Sequence, residues 1–300
     1  MSSGSSYVIE LALQILNIIA PSMLLAGIGL IWFHRGPEYP VAFVTTLVLN
    51  VALPALLFHT LATSTVAISS LRSMAVGTFT VHFVFGLAVF LLLRFAKKDS
   101  RLGVPHVVGN TGNLGLPVCF LAFGEEGLAY AITFFAVQCL LLFSIGEAIF
   151  AERLSWRRLF SSPILHAVWL GVVFRIFDVP LPAIALSSLE LLGQIVIPIM
   201  LITLGVSLSG MRAAQWRTTL FWSVIRTLLA MTVAVGVTHF LPLSEAARGV
   251  LIIQTVVPVA VFNYLLAVRY ERDSSEVSGL ILMTHIGAVF YLPVVLAFVL

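Results

Sequence analysis

Gly109-Asn110-Thr111-Gly112-Asn113-Leu114-Gly115-Leu116-Pro117 interrupts an apolar stretch in the first half of the chain. Gln254-Thr255-Val256-Val257-Pro258-Val259-Ala260-Val261-Phe262-Asn263 interrupts one in the second half. Each interruption falls near the middle of a run long enough to cross a bilayer. A helix opened at that depth bares amides and carbonyls where lipid offers no partner, so protein or a wet cavity must cover them. Paired broken helices in two repeated halves point to the binding site of a secondary transporter.

Composition agrees that lipid is the solvent. Of 300 residues, 60% are hydrophobic and only 10% are charged, whereas a water-soluble chain carries roughly a quarter charged residues. The formal charge of +3 does not mark a nucleic-acid binder, because the basic residues gather in short loops between apolar runs. Cys119 and Cys139 both fall within apolar runs and read as buried thiols rather than a disulfide. The first run, Tyr7 to Phe33, is too long for a signal-peptide core and follows no basic region, so it is expected to span the membrane.

Apolar runs of about 20 residues, the length that crosses the hydrocarbon core, are expected at 7–33, 40–62, 71–95, 103–123, 126–151, 163–177, 183–210, 217–241, 246–268 and 276–299. Ten spans sort the basic residues cleanly. Arg35, Arg94, Lys97, Lys98, Arg101, Arg153, Arg157, Arg158, Arg212, Arg217, Arg269 and Arg272 fall on one side; Arg72, Arg175 and Arg248 fall on the other. The populous side is expected to be cytoplasmic and both termini outside. Five spans per half make the halves inverted repeats, 1–151 and 163–300. An echo supports this: Val51-Ala52-Leu53-Pro54-Ala55-Leu56-Leu57 resembles Ile195-Val196-Ile197-Pro198-Ile199-Met200-Leu201, and Pro117 answers Pro258. The intervals from Pro54 to Pro117 and from Pro198 to Pro258 differ by three residues.

The breaks have a chemistry. Pro117 cannot donate a backbone hydrogen bond, so its helix is expected to open just before it, eased by Gly109, Gly112 and Gly115. The half-helix beyond would begin near the midplane with unpaired amides and a positive dipole end, suited to a carboxylate. Asn110 and Asn113 add amide groups, and the second break repeats the device with Gln254 before Pro258 and Asn263 after it. Asn50 and Gln194, each alone in a span, read more simply as partners for a neighbouring helix. Arg226 lies within a span and needs a partner. Either it serves as counter-ion for an anionic substrate or it snorkels toward the cytoplasm and pairs with Glu147. His59, His82, His166 and His285 read as structural, with proton relay the alternative. No Asp lies mid-span, which argues against coupling through a buried acidic pair.

The run Asn110 to Pro117, followed by Phe123-Gly124-Glu125-Glu126-Gly127, resembles the fourth span of the auxin efflux carrier family, which joins bacterial organic-anion permeases and plant carriers. Pro54-Ala55-Leu56-Leu57-Phe58-His59, Leu204-Gly205-Val206-Ser207-Leu208, Gln254-Thr255-Val256-Val257-Pro258 and Tyr270-Glu271-Arg272-Asp273 resemble other parts of it. The resemblance covers essentially the whole chain. It implies ten transmembrane helices in two inverted five-helix repeats related to bile-acid sodium symporters, with helices 4 and 9 crossing at Pro117 and Pro258. It also implies a scaffold of spans within 7–62 and 163–210, dimeric, and a moving transport domain from 71–151 and 217–299. Carried over, Asn110 and Gln254 are its first substrate contacts, with Asn50 and Asn113 after them. The short linker Glu152 to Ser162, and Leu57 where plant members place Ser, favour a microbial carboxylate permease over an auxin carrier.

These readings converge on a plasma-membrane carrier of a small mono- or dicarboxylate, such as malonate, working by alternating access. The alternative is a membrane-embedded sensor that binds an organic acid without moving it. An enzyme is not expected, because the scattered Ser and His residues form no catalytic or metal-binding spacing. No cofactor is expected. Na⁺ held by Asn113, Gln254 and opened carbonyls, H⁺ coupling, and uncoupled movement all remain open, as does the direction of transport.

Overall fold

Long apolar runs with few interruptions satisfy their own backbone hydrogen bonds as helices. The computed structural model describes residues 2–146, 148–149, 160–212, 215–270 and 273–300. Glu147, the linker arginines 153, 157 and 158, and Glu271 and Arg272 lie outside the described residues. Regular structure among the described residues is helical: α1 (Ser2–Arg35), α2 (Val41–Thr63), α3 (Ile68–Phe95), α4 (Gly103–Val107), α5 (Thr111–Gly146), α6 (Pro163–Ile176), α7 (Ala183–Ser209), α8 (Trp216–Phe240), α9 (Glu245–Val256), α10 (Phe262–Arg269) and α11 (Ser274–Val299).

The outer surface suits lipid. Leu24 is 68% exposed, Phe83 73%, Ile184 83% and Phe290 74%, an apolar exterior that water would not tolerate. The apolar interior gathers where α5 and α9 meet, with Leu116, Val118, Leu251 and Ile253 fully buried. Side-chain caps fix three helix starts. Ser162 accepts from Leu165 N–H, Ser244 from Ala247 N–H at 3.2 Å, and Asp273 from Glu276 N–H at 2.9 Å. Each occupies an amide that the helix itself leaves unpaired. Lys98 pairs with Glu276, tying the segment before α4 to the start of α11.

Among the described residues, seven helices are long and apolar enough to cross a bilayer, against ten expected spans. The difference has three local causes. The fourth span is split, with only 5 residues in α4 before the chain opens. The ninth is divided between α9, with 12 residues, and α10, with 8. The sixth, α6, has 14 residues, about 21 Å at the α-helical rise. The expected separation of the fourth and fifth spans is reduced to one residue. Within α5, Gly124 adopts φ 62° and ψ −149°, a conformation essentially restricted to glycine, so α5 bends there.

Pro258 lies in open backbone just after α9, as expected, whereas Pro117 acts differently. Pro117 does not open its helix directly. The turn before it, Thr111–Gly115, widens into a π-helix, and Pro117 sits in the first turn of the regular helix that follows. Pro54 repeats the arrangement after the π turn Val48–Ala52. A wider turn removes the clash between the proline ring and the preceding carbonyls, so the helix continues. The open backbone lies upstream, at Val108 to Asn110. Helices α1 and α7 touch backbone to backbone. A Cβ on Gly29 would lie 1.9 Å from the Ile202 carbonyl oxygen, and one on Gly205 would lie 1.9 Å from that of Ala26.

A Gly124→Ala variant should lose about 1–3 kcal/mol, although open space surrounds the position. Denaturant unfolding in detergent measures this; unchanged stability would mean that α5 does not bend at Gly124.

Candidate functional site

The open segments of the two halves meet. Gly109 and Val259 face each other in an antiparallel bridge. Asn110 N–H donates to the Pro258 carbonyl at 2.6 Å, and Ala260 N–H donates to the Val108 carbonyl at 3.0 Å. Each break therefore supplies part of what the other lacks. Pro258 has no N–H to leave unpaired, and its carbonyl is used.

Side chains take up the remaining backbone groups. Arg226 on α8, 1% exposed, donates from Nε to the His106 carbonyl at 3.0 Å. Its Nη1 donates to the carbonyls of Val256 at 3.2 Å and Val257 at 2.7 Å. Tyr291 Oη also donates to Val256, at 2.8 Å. Gln138 Nε2 donates to the Gly109 carbonyl at 2.9 Å and to Thr111 Oγ1 at 2.7 Å. Asn263 Nδ2 donates to the Val108 carbonyl at 3.0 Å, and Val259 N–H donates to Thr284 Oγ1 at 3.1 Å. An unpaired polar group in an apolar interior is costly, and these bonds remove most of that cost.

The arrangement is polarised. The carbonyl ends of α4 and α9, which carry partial negative charge, turn to Arg226. Its guanidinium is held by helix-end carbonyls, and Arg226 is not among the residues that line the cavity described below, while Glu147, the other partner expected from sequence, lies outside the described residues. Arg226 Nη2 has no partner and lies 3.5 Å from where a Cβ on Gly109 would stand.

The amino ends face the other way, into a cavity of about 690 Å³. Gly109, Asn110, Thr111, Gly112 and Asn113 line its base together with Ala260, Val261 and Phe262. The first amide bonds of α5 come from Leu114 and Gly115, both to the Asn110 carbonyl, so the amides of Thr111, Gly112 and Asn113 lead the helix. The cavity extends to the ends of these helices, where Phe33 of α1, the Gly210-Met211-Arg212 turn after α7, and Ser274 and Ser275 of α11 line it. Among the described lining residues, Arg212 is the one charged group.

The remaining residues singled out by sequence lie elsewhere. Gln254 is 1% exposed and off the cavity lining. Its Oε1 lacks a partner and its carboxamide packs against Gly115, with Nε2 3.4 Å from the Ala131 carbonyl. Asn50 is exposed on α2 and donates to the Thr46 carbonyl at 2.9 Å. Asn263 is fully buried at the crossing, and Gly115, Pro117 and Pro258 support the breaks without lining the cavity. Gln138, Thr284 and Tyr291 were not singled out by sequence. Gln138, alone among apolar neighbours in Ala136-Val137-Gln138-Cys139, carried the one signal that could have found it.

The sequence profile of a family described as membrane transport protein matches residues 37–155 and 152–296. The chain belongs to this family, the auxin efflux carrier family whose motifs it resembles. It is 28% identical over 297 residues to an uncharacterized transporter of Methanothermobacter thermautotrophicus, covering 95% of this chain and 96% of that protein. It is 27% identical over 271 residues to an uncharacterized transporter of Methanocaldococcus jannaschii, covering 82% and 86%. The chain is a multi-pass membrane protein of a transporter family.

Arg226→Met should strand the His106 and Val257 carbonyls, leaving Val256 to Tyr291. At about 1–3 kcal/mol for each stranded acceptor, the loss is about 2–6 kcal/mol. Arg226→Lys, which keeps the charge but not the fork, should lose less. Unfolding in detergent tests both, and wild-type stability in Arg226→Met would remove Arg226 from the crossing.

Proposed function

We propose that this protein is a secondary carrier of a small organic anion, a mono- or dicarboxylate, moved by elevator-like alternating access. One observation carries the reading: two helices open at the same depth, pair at Gly109 and Val259, and turn their amino ends to one cavity. Amide-led helix starts hold a carboxylate without a formal cation. Among the described lining residues no carboxylate opposes an anion, and Arg212 at the mouth attracts one. Asn110, Thr111 and Asn113 are the proposed contacts. Gln254 is assigned to packing of the break and Asn50 to its own helix. The carbonyls that would have suited Na⁺ are engaged by Arg226, which supports a carrier without a sodium site at the crossing.

The packing supports ten transmembrane segments in two inverted repeats, with α4 and α9–α10 as the broken ones. Exchanging the halves turns the α1–α7 contact into α6–α2, α3–α4 into α8–α9, and α3–α5 into α8–α11; all six pairings occur. Under this arrangement α1, α2, α6 and α7 form the scaffold, proposed to dimerise, and the rest move against it. The bias of basic residues supports a cavity mouth on the cytoplasmic side of a plasma membrane, with both termini outside.

Purified protein in liposomes should show saturable malonate flux. Asn110→Ala should lower it at least about tenfold, the effect of losing one charge-assisted hydrogen bond, while Asn50→Ala leaves it unchanged. Tight malonate binding without flux would favour a sensor. Full flux in Asn110→Ala would place the site elsewhere.

A further inference from the structure

Asn110 is held by a histidine in the wrong sense for an anion. His285 on α11 is buried, with Nδ1 2.8 Å from the Ile281 carbonyl oxygen. A carbonyl only accepts, so Nδ1 carries a proton. The other ring nitrogen, Nε2, lies 3.1 Å from Asn110 Nδ2. That amide nitrogen donates and has no lone pair to offer, so Nε2 is the acceptor and the ring is neutral. The carboxamide oxygen is then the end of Asn110 left to the cavity that it lines. An oxygen there repels a carboxylate.

For Asn110 to hold an anion, its carboxamide must turn over and present Nδ2–H. The oxygen then meets Nε2, and two lone pairs oppose each other unless Nε2 has gained a proton. The other neutral tautomer gives no escape, because it sets the Nδ1 lone pair against the Ile281 carbonyl at 2.8 Å. We propose that His285 is a proton-binding site coupled to the carrier's substrate, one proton arriving at Nε2 for each organic anion docked on Asn110. The inference rests on the carrier reading above and adds its driving ion.

The balance is simple. A proton from cavity water joins Nε2, and the imidazolium donates through Nε2–H to Asn110 Oδ1 and through Nδ1–H to Ile281. The turned amide donates to the carboxylate, and release of the anion reverses each step. The field acting on His285 comes from Arg226 on α8. Tyr291, on α11 with His285, is engaged with Val256. His106 on α4 is engaged with the Leu102 carbonyl, and Tyr264 on α10 lines the cavity. Glu245 and Arg248 on α9, Arg269 on α10 and Arg217 and His239 on α8 stand near helix ends, and Glu10 on α1 is exposed. A proton on His285 adds a second positive charge near Arg226, and a docked carboxylate offsets it. Proton and anion therefore favour each other's binding, and by linkage the favour is mutual.

The test uses the full chain in liposomes loaded with a pH-sensitive dye, with radiolabelled malonate and pyruvate as probes. Pyruvate is too strong an acid to bring its own proton near neutral pH. One proton should enter with each pyruvate. In His285→Gln, the glutamine amide donates to Asn110 Oδ1 without a proton, so pyruvate should enter with no proton accompanying it. Wild-type uptake without proton movement overturns the proposal and leaves the carrier reading standing, as does His285→Gln that still moves one proton per anion. Failure of folded wild-type protein to take up either anion overturns both. Should His285→Gln not fold, nitrogen-15 spectra of wild-type histidines decide. A neutral Nδ1–H ring that becomes imidazolium on saturation with pyruvate supports the proposal, and an unchanged ring overturns it.

Discussion

One guanidinium holds the crossing together. Arg226 binds the carbonyl ends of both upstream half-helices through His106, Val256 and Val257. Without it, two negative helix ends would face each other in an apolar interior with neither water nor lipid to satisfy them. A buried charge is normally a liability. Here the open backbone and the cation each lack partners, and each supplies what the other needs. The bridge at Gly109 and Val259 and the bonds from Gln138, Asn263 and Tyr291 complete the same task.

The clamp also decides which way the polarity of the site runs. With the carbonyl ends covered, the amino ends of α5 and α10 are left to the cavity. A positive pocket thus arises from backbone alone, with no cation at its base. Because Arg226 touches both halves of the crossing, it ties the two breaks together. A few polar side chains complete the cavity base. Asn110 is the one whose orientation is set by a second residue, His285.

Much of this was legible in the chain. Apolar length and the two proline-bearing interruptions located the apolar helices and the two breaks, and the gap between the expected fourth and fifth spans falls at Gly124-Glu125, where α5 bends. The exact opening was not legible. Proline signals a disturbed helix, but the π turn Thr111–Gly115 absorbs the disturbance and moves the open backbone to Val108–Asn110. The role of Arg226 was hidden for a different reason. Sequence suggests carboxylate or water partners for a buried arginine, whereas backbone carbonyls have no residue signature. The same holds for Thr284 and Tyr291, whose partners are also main-chain groups. The place of Gln254 was not legible, because a polar residue beside a break reads alike whether it faces a ligand or packs on Gly115.

The central claim concerns where an anion sits. A density map of the protein saturated with malonate, resolving side chains at the crossing, tests it most directly. The account predicts a carboxylate within hydrogen-bond distance of Asn110 and of the amides of Thr111 to Asn113, with Arg226 still on its three carbonyls. Malonate bound on Arg226 itself, or resting only at Arg212 with the cavity base empty, would contradict it.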